Sequence, residues 1–514
     1  QGEEPAEMTP DWALHLAHRG DFHELRGISA ERLLELGATH AHLEGLVALA
    51  LEAPDRLAAE VVADHATQAL AQLDEQSGER RAQRADIEDE AWYWAAPILL
   101  DLASDPEGTR HWWSQEGLES TWRGSDESDD ATPARWAEHV QHAQALLGGE
   151  VPLGRQPEDL AEVLALVGVA GPGVCSLRAL ARATAVEPTR RGDLRDPASA
   201  LAWSLRSRFN LPEVTALVRA QDHETRYWEV LLRHAASGCI QAVLDEYAHV
   251  LVEALGVSGD SAQGAAKKLA EEMGGALSLR TASLRLDDIR AKNGSVSVTT
   301  RSMRTRFAAP FTESRGSDDG SSLRPGQVRR AFNSPFWPFV LVSTSVGQEG
   351  LDFHQYCHAV VHWNLPSNPV DLEQREGRVH RYKSHAVRRN LAACHGAQAL
   401  SRAGAHDPWM ELFRIGTETR EDGTSDLVPF WLYAGPAQIE RHLPALPLSR
   451  EIGRFAALQR ALVVYRMAFG QSRQDDLIAF LLERHEPEEI DRLLDEAQLD
   501  LSPPVVATGR GRDL

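Results

Sequence analysis

The sequence predicts an α/β lobe with a mainly parallel sheet, which lies between a large α-helical N-terminal extension and a mixed, mostly helical C-terminal extension. Three features support this prediction: apolar residues three and four positions apart early in the chain, two short continuous apolar runs in the middle, and a glycine- and arginine-rich pattern after those runs. A chain of 514 residues is also too long for one comfortable core, which predicts several domains.

The overall charge and the cysteines limit the classes of function. The formal net charge is −23, which disfavours long-range attraction of nucleic acid but does not exclude a local basic site. The negative charge also favours a protein partner for the acidic helical region. The four cysteines form no CxxC pair, so neither a zinc ribbon nor a disulfide framework is expected. Free thiols fit a cytoplasmic protein, and no membrane association is expected because no apolar run of about 18 residues stands out.

Residues 1–225 are predicted to be mainly α-helical. Apolar residues recur at helical spacing, as in 32–51, and a polar, acidic break at 124–133 predicts a loop. Tryptophans surround this break, and their favoured role is to anchor helices in a core, although aromatic side chains beside a loop can also stack on bases. They are Trp92, Trp94, Trp112, Trp113, Trp122 and Trp136.

The α/β lobe is assigned to residues 226–395. A helical pattern at 227–255 precedes residues 294–306, where Ser, Val and Thr nearly alternate as in a strand or hairpin. A helix is then expected to begin at Pro325, with Val328 and Phe332 on one of its faces.

Two short apolar runs in this lobe predict strands. The runs at 339–342 and 359–361 are typical of parallel strands that are buried on both faces. A sheet of about five to seven strands is therefore expected.

Residues 396–514 form the predicted C-terminal extension. Prolines punctuate its first part, and helical patterns at 451–469 and 474–484 predict a helical pair. The tail at 502–514 is expected to fray.

The first pattern with chemical meaning directly follows the first apolar run. The residues after this run are expected to form a loop with hydroxyl side chains at Ser343, Thr344 and Ser345. The loop also contains glycines, among them Gly350, and it ends at Asp352. The carboxyl end of a parallel strand is where α/β folds place their ligands, and glycine allows close approach of a ligand to the backbone. Thr344 and exposed amides are therefore candidates to hold a nucleic-acid phosphate, and Asp352 is a candidate to accept from a ribose hydroxyl.

The second pattern is predicted to lie on a helix that begins near Pro369. Gln374, Gly377, Arg378 and Arg381 are spaced at i, i+3, i+4 and i+7, so one helical face would present an amide, a gap and two guanidinium groups. Planar guanidinium groups fit phosphate oxygens and stabilise the charge that develops on a transferred γ-phosphoryl group. The opposite face would carry the apolar residues Leu372 and Val379 toward a core.

Together, residues 340–382 resemble motifs V and VI of superfamily-two helicases. They are most similar to the Swi/Snf-like branch, which includes the bacterial RNA-polymerase-associated translocase. The turn at 364–369, which joins the two patterns, also resembles that branch. The resemblance covers under a tenth of the chain, and it implies that the α/β lobe is the second RecA-like lobe of a motor.

The resemblance also implies roles for individual residues. Arg378 and Arg381 would be arginine fingers, with Gln374 supporting the cleft beside them; Arg375, Gly350 and Asp352 would contact nucleotide; and Ser343, Thr344 and Ser345 would contact nucleic acid. The implied cofactors are ATP and Mg²⁺, held mainly by a first lobe. The implied substrate is DNA, with a duplex favoured over RNA.

Two departures from the family pattern are visible. No lysine of the chain follows a glycine, so the Gly-Lys-Ser/Thr core of a phosphate-binding P-loop is missing. The chain begins at Gln1, and an upstream P-loop lobe on the same polypeptide is expected. In addition, Tyr382-Lys383 follows Arg381 where Ile-Gly-Gln is common in the Swi/Snf-like branch.

The sequence also fits other functions. The main alternative is a non-catalytic protein-interaction module that carries a vestigial helicase lobe. A metal-dependent hydrolase using His354, His358 and His362 is weaker, because these residues flank a predicted strand and packing roles are favoured. Asp245-Glu246 resembles the acidic box of a first motor lobe, but helical apolar spacing continues through it, which favours a helix.

Overall fold

The computed structural model of the chain forms two compact units. Unit 1 comprises residues 1–278 and 395–412, and unit 2 comprises residues 279–394 and 413–514. The structure describes residues 89–118, 131–186, 193–220, 225–279, 283–292, 295–304, 308–311, 325–343, 352–403, 406–421, 424–444, 450–467, 483–486, 489 and 492. The helical pattern at 32–51, most of the predicted loop at 124–133, most of the helix at 474–484 and the tail at 502–514 lie outside these residues.

The described part of unit 1 is helical. Local capping explains several helix starts: Asp105 accepts a hydrogen bond from the amide of Gly108 (2.9 Å) and precedes Pro106 at the first helical position. Ser261 likewise accepts from the amide of Gly264 (3.2 Å). The helices are α1 (Trp92–Ser104), α2 (Pro106–Trp113), α3 (Ala131–Gly148), α4 (Leu160–Ala170), α5 (Pro172–Ala183), α6 (Arg195–Phe209), α7 (Pro212–Arg219), α8 (Tyr227–Ser237), α9 (Ile240–Ala254) and α10 (Ala262–Leu277).

Tryptophans anchor the core that α1 to α4 share. The indole N–H of Trp92 donates to the carbonyl of Gly154 (2.9 Å), and the ring itself is buried. Trp113 is also buried and makes an edge contact with the half-buried Trp112, at 4.8 Å between ring centroids. The predicted role of these tryptophans as helix anchors is thus confirmed, whereas Trp122 and the side chain of Trp136 lie outside the described residues.

Unit 1 contains one long apolar stretch, although no apolar run of about 18 residues was expected from the sequence. Residues Leu160–Ala183 contain an 18-residue window with a mean hydropathy of 1.8 and are long and apolar enough to cross a membrane by composition alone. The stretch is divided at Gly171 into α4 and α5, however, and half of that window is buried inside the protein. Arg178 on α5 is buried as well and donates to the carbonyl of Gly168 (3.1 Å) and to Gln241. These features are typical of core helices.

Asp245 and Glu246 lie in the middle of α9, as the helical spacing predicted. Asp245 is buried and bonds to Arg182 (2.5 Å) and Gln241 (2.8 Å), so its carboxylate has a structural role. The helices from α8 to α10 belong to unit 1. The predicted lobe boundary at residue 226 therefore differs from the observed boundary after Ser278, because the helical pattern at 227–255 continues the helical packing of unit 1.

Unit 2 contains the described strands. Its strands are β1 (Ser283–Lys292), β2 (Ser295–Arg304), β3 (Ala308–Phe311), β4 (Val340–Ser343), β5 (Ala359–Val361) and β6 (Glu440–His442). Its helices are α11 (Pro325–Phe332), α12 (Pro369–Gly377) and α15 (Glu451–Met467), and the boundaries between the units fall inside α13 (His385–Ala403) and α14 (Pro408–Glu418). The helix predicted at Pro325 is confirmed, and both Val328 and Phe332 are buried.

The described strands form three pairs. β1 and β2 are antiparallel, with Lys292 opposite Ser295. β2 confirms a strand within 294–306, but its hairpin partner β1 lies before that range and was not predicted. β3 and β4 are parallel in the register Ala308 to Val340, and β5 and β6 are parallel in the register Ala359 to Glu440. The two apolar runs are thus parallel strands, as predicted, but the single sheet of five to seven strands is not seen among the described residues.

The predicted burial of both strand faces is also wrong. Val340, Val342 and Val361 are 41%, 61% and 59% exposed. Among the described residues, each of these short strands pairs with one neighbour. The faces of a parallel strand are buried only where other elements cover both sides of the sheet.

Candidate functional site

The two patterns singled out in the sequence meet in unit 2. The amide of Phe353, just after the first pattern, donates to the carbonyl of Arg378 in the second (3.0 Å). Beside this bond, Nε of Arg381 lies 3.2 Å from Oδ1 of Asp352. A backbone bond and an ion pair thus fix the end of the first pattern against both of the predicted arginine fingers.

Aromatic packing holds this junction in place. Phe353 is buried and makes edge contacts with Phe311 at the end of β3 (5.9 Å) and Phe332 at the end of α11 (5.7 Å). Asn333 donates its side-chain N–H to the carbonyl of Asp352 (2.8 Å). The Asp352 backbone is therefore anchored, while its side chain stays half exposed and able to meet solvent or a ligand.

The second pattern is only partly helical. Asn368 caps α12 by accepting from the amide of Val370 (2.9 Å), so the predicted start at Pro369 is confirmed. Leu372 and Val379 are buried, as predicted. The helix ends at Gly377, however, and Arg378 is its C-cap residue. Arg381 therefore lies beyond the helix, and the expected single helical face from Gln374 to Arg381 is wrong.

Glu376 ties α12 to two other elements of unit 2. Its carboxylate binds Nε and Nη2 of Arg441 on β6 (2.5 Å each) and Nε2 of His362 after β5 (3.1 Å). Burial alone would raise the pKa of Glu376, but the hydrogen bonds from His362 and Arg441 and the charge of Arg441 outweigh it and hold the pKa at about 2. The carboxylate is thus ionised at neutral pH and fixes the orientation of α12.

Further contacts brace the same helix. Arg375 donates to the carbonyl of Asn364 (3.0 Å), so at least one N–H of its guanidinium is used inside the protein. Gln374 is exposed. Leu372 packs with Leu365 and with Leu458 on α15, which places part of the C-terminal extension directly behind α12.

The turn after Arg381 is held by an aromatic cluster. The ammonium of Lys383 lies 4.4 Å from the ring centroid of Phe413 and 5.5 Å from that of Tyr382, and Phe430 stacks on both of these rings. The Lys383 carbonyl accepts from Arg388 (2.6 Å), and its amide donates to the carbonyl of Phe430 (2.6 Å). Cation–π contacts of this kind stabilise a cation at a site with little solvent.

The backbone of Lys383 explains a departure from the family pattern. Its φ is +49°, in the left-handed region where glycine is the least strained residue. Lys383 stands where the Swi/Snf-like pattern has glycine, so the turn keeps the conformation that glycine favours while the side chain is held by aromatic rings.

Two variants at position 383 should therefore differ in stability in a defined order. Lys383→Gly and Lys383→Ala both lose the aromatic contacts, but only alanine retains the left-handed strain, so Lys383→Gly should be more stable than Lys383→Ala by about 1 kcal/mol. Urea denaturation measures the difference. Lys268, inside α10, is the matched control: alanine should be the more stable residue there by about 1 kcal/mol. Equal stability of the two variants at position 383 would contradict the interpretation.

The three histidines considered as metal ligands occupy separate environments. Burial lowers the pKa of His354 to about 4, His358 packs against His385 (5.2 Å), and His362 binds Glu376. Among the residues that the structure describes, no cluster of three or more His, Cys, Asp or Glu side chains is placed to hold a metal ion.

The predicted contacts with nucleic acid are only partly described. Ser343 ends β4 and is exposed. Thr344, Ser345 and Gly350 lie outside the described residues, so their predicted roles stay predictions.

Comparison with known proteins matches this part of unit 2 to a family. Residues 326–383 match the helicase conserved C-terminal domain. A segment of 42 residues, 8% of this chain, is 48% identical to the uncharacterized ATP-dependent helicase YqhH of Bacillus subtilis (strain 168). The segment spans only 7% of that relative's length. No solved structure matches the chain significantly. These matches support a helicase C-terminal lobe that is RecA-like in fold.

Three residues that position the motifs of this helicase lobe were missed from the sequence. Glu376 lies between Arg375 and Gly377 of the second pattern, and its partners His362 and Arg441 are 14 and 65 residues away. The only available signal was Glu376 itself, an acidic residue among arginines. Its distant partners could not be found without the pairing of β5 with β6.

Proposed function

We propose that this chain provides the second motor lobe of an ATP-dependent DNA translocase. The single observation that carries the proposal is the junction of the two motifs, where Phe353 bonds to Arg378 and Asp352 pairs with Arg381. This junction connects the segment that follows a strand to two guanidinium groups. A motor needs such a connection, because it must link its nucleotide state to its contact with nucleic acid.

The arginines fit a phosphate ligand. The side chain of Arg381 is 44% exposed, and its partner Asp352 is 53% exposed, so an incoming phosphate can compete for the guanidinium without unfolding the junction. Arg378 follows the end of a helix whose orientation Glu376 fixes. We assign the finger role to Arg378 and Arg381, with Gln374 and Arg375 at the edge of the cleft. Asp352 and Gly350 are assigned to nucleotide contact.

ATP and Mg²⁺ are proposed to be held mainly by a P-loop lobe outside this sequence, upstream on the same polypeptide. When bound, ATP supplies the γ-phosphoryl group whose transfer releases energy for movement. The residues of this chain contribute charge stabilisation from Arg378 and Arg381, and contact with the nucleic-acid backbone through Ser343, Thr344 and Ser345. Thr344 and Ser345 are assigned by the resemblance alone.

Duplex DNA is proposed as the track, in preference to RNA, and movement without strand separation as the activity. This choice rests on the similarity of residues 340–382 to the Swi/Snf-like branch. The acidic helical unit 1 is proposed to contact a protein partner, and a cytoplasmic location fits the free cysteines.

The first test uses the chain by itself. We expect no DNA-stimulated ATP hydrolysis and no tight ATP binding, because arginine fingers act on phosphates that a P-loop and Mg²⁺ hold. The measurement is phosphate release at saturating duplex DNA, with calorimetry for nucleotide affinity. The complete polypeptide is the positive control, and measurable DNA-stimulated turnover by the chain alone would contradict the assignment of the ATP site to another lobe.

A further inference from the structure

A cavity of about 700 Å³ lies within unit 1, far along the sequence from the motor motifs. It is partly open to solvent and is lined by α1, α2, α5 and α6, with single side chains from α3 and α4. Its wall is mostly apolar and carries a few charged groups. This size and composition are typical of sites that bind small organic molecules.

The flat surfaces of the cavity come from three tryptophans. Trp112 is fixed by a hydrogen bond from its indole N–H to Asp196 (2.7 Å), and Trp113 packs edge-on against it (4.8 Å). Trp203 carries the guanidinium of Arg206 over its ring, 4.7 Å from the centroid. Arg206 thus covers one face of Trp203, and the other indole surfaces that line the cavity suit stacking of a planar ligand, as aromatic residues do in proteins that bind nucleobases.

One acidic and two basic side chains complete the wall: Asp101, Arg195 and Arg206. Arg195 is held by Asp105 (3.2 Å) and Thr109 (3.2 Å) and is the nearby cation for Asp101. Burial raises the pKa of Asp101 to about 6, although the charge of Arg195 opposes the shift. The carboxylate is therefore mainly ionised at neutral pH in a poorly hydrated position, where a ligand that donates hydrogen bonds to it would be stabilised.

The charges of the wall disfavour simple ligands. A cation would face two guanidinium groups, and an inorganic anion could pair with a guanidinium but would offer the Asp101 carboxylate no hydrogen-bond donor. A hydrocarbon would remove water from the carboxylate and offer it no donor. The wall suits a flat molecule that carries N–H donors at one end and an anionic group at the other.

We propose that this cavity binds a nucleotide base through stacking on its tryptophans, with Asp101 accepting from ring N–H donors and an arginine contacting the attached phosphate. Guanine fits best, because its N1–H and N2–H donors are adjacent and match the two oxygens of one carboxylate. Adenine and cytosine offer one exocyclic amine, and uracil flanks its N3–H with two carbonyls that the carboxylate repels. The proposal is independent of the motor assignment.

The test measures binding of GMP, AMP, CMP and UMP to the whole chain by calorimetry and tryptophan fluorescence. GMP should bind about ten-fold or more tightly than UMP, and Asp101→Asn should remove about ten-fold or more of the GMP affinity. Ala202→Phe should also abolish binding, because it fills the cavity. Asp260→Asn, at an exposed acid of unit 1 outside the cavity, is the control and should bind GMP normally.

A second experiment distinguishes a free nucleotide from nucleic acid as the source of the base. A single-stranded oligothymidine with one central guanine is compared with the all-thymidine strand: tighter binding of the guanine strand assigns the site to nucleic acid, and binding of GMP alone assigns it to a free nucleotide. Circular dichroism checks that each variant is folded; Asp101→Asn should fold because it removes a buried charge. The proposal is overturned if GMP does not bind at millimolar concentration, if folded Asp101→Asn binds GMP normally, or if L-tryptophan binds in preference to every nucleotide.

Discussion

Arg378→Ala in the complete protein should slow ATP turnover by about 10³-fold or more, on the scale of arginine-finger losses. The guanidinium is expected to stabilise charge that develops as the γ-phosphoryl group leaves. ATP binding should change much less, since the ground-state phosphates keep their P-loop and Mg²⁺ contacts. Steady-state ATPase at saturating duplex DNA and nucleotide affinity, measured on the same preparation, separate the two effects.

Two further variants control this result. Arg378→Lys should rescue poorly, because an ammonium group cannot reproduce a planar fork of donors. Arg414→Ala removes an arginine that makes an exposed ion pair with Glu418 in unit 2, and it should leave turnover unchanged. Near-normal turnover in Arg378→Ala would mean that α12 has only a structural role, and a non-catalytic interaction module would then explain the chain better.

Glu376→Gln should lower the stability of unit 2 by about 2 kcal/mol at pH 7, because Arg441 and His362 both lose a charged partner. Urea denaturation measures the loss. Glu418→Gln is the matched control, because it alters an exposed i,i+4 ion pair on α14, for which a loss of about 0.5 kcal/mol or less is expected.

The stability difference between wild type and Glu376→Gln should also depend on pH. The pKa of Glu376 is lowered to about 2 in the folded protein, against about 4.3 in an unfolded chain. The stabilisation is therefore fully present above about pH 4.3 and is lost as the pH falls toward 2. A difference that stays constant from pH 7 to pH 2 would show that the carboxylate charge does not hold α12.

Much of unit 2 was predictable from local sequence patterns. Proline and capping signals determine where α11 and α12 begin, and the capping bond of Asn368 is local. The strands β4 and β5 follow from short apolar runs. These elements were predictable because residues only a few positions apart determine them.

The remaining features depend on contacts between distant residues. β6 has three residues and lies among prolines, so its pairing with β5 leaves no periodic signal in the sequence. The end of α12 at Gly377 moved Arg381 off the predicted helical face. Glycine weakens a helix, and the spacing of Gln374, Arg378 and Arg381 alone does not show whether the helix continues beyond it. Similarly, nothing local indicates that an aromatic cluster from 413–430 holds the turn at Lys383.

The proposed action of Arg378 on the transferred phosphoryl group is tested most directly with a transition-state analogue. The affinities of the complete protein for ADP with aluminium fluoride and for a non-hydrolysable ATP analogue are compared in wild type and Arg378→Ala. We predict that the wild type binds the transition-state analogue much more tightly than the ground-state analogue, and that Arg378→Ala loses most of this preference while its affinity for the ground-state analogue changes little. An undiminished preference in Arg378→Ala would contradict the claim.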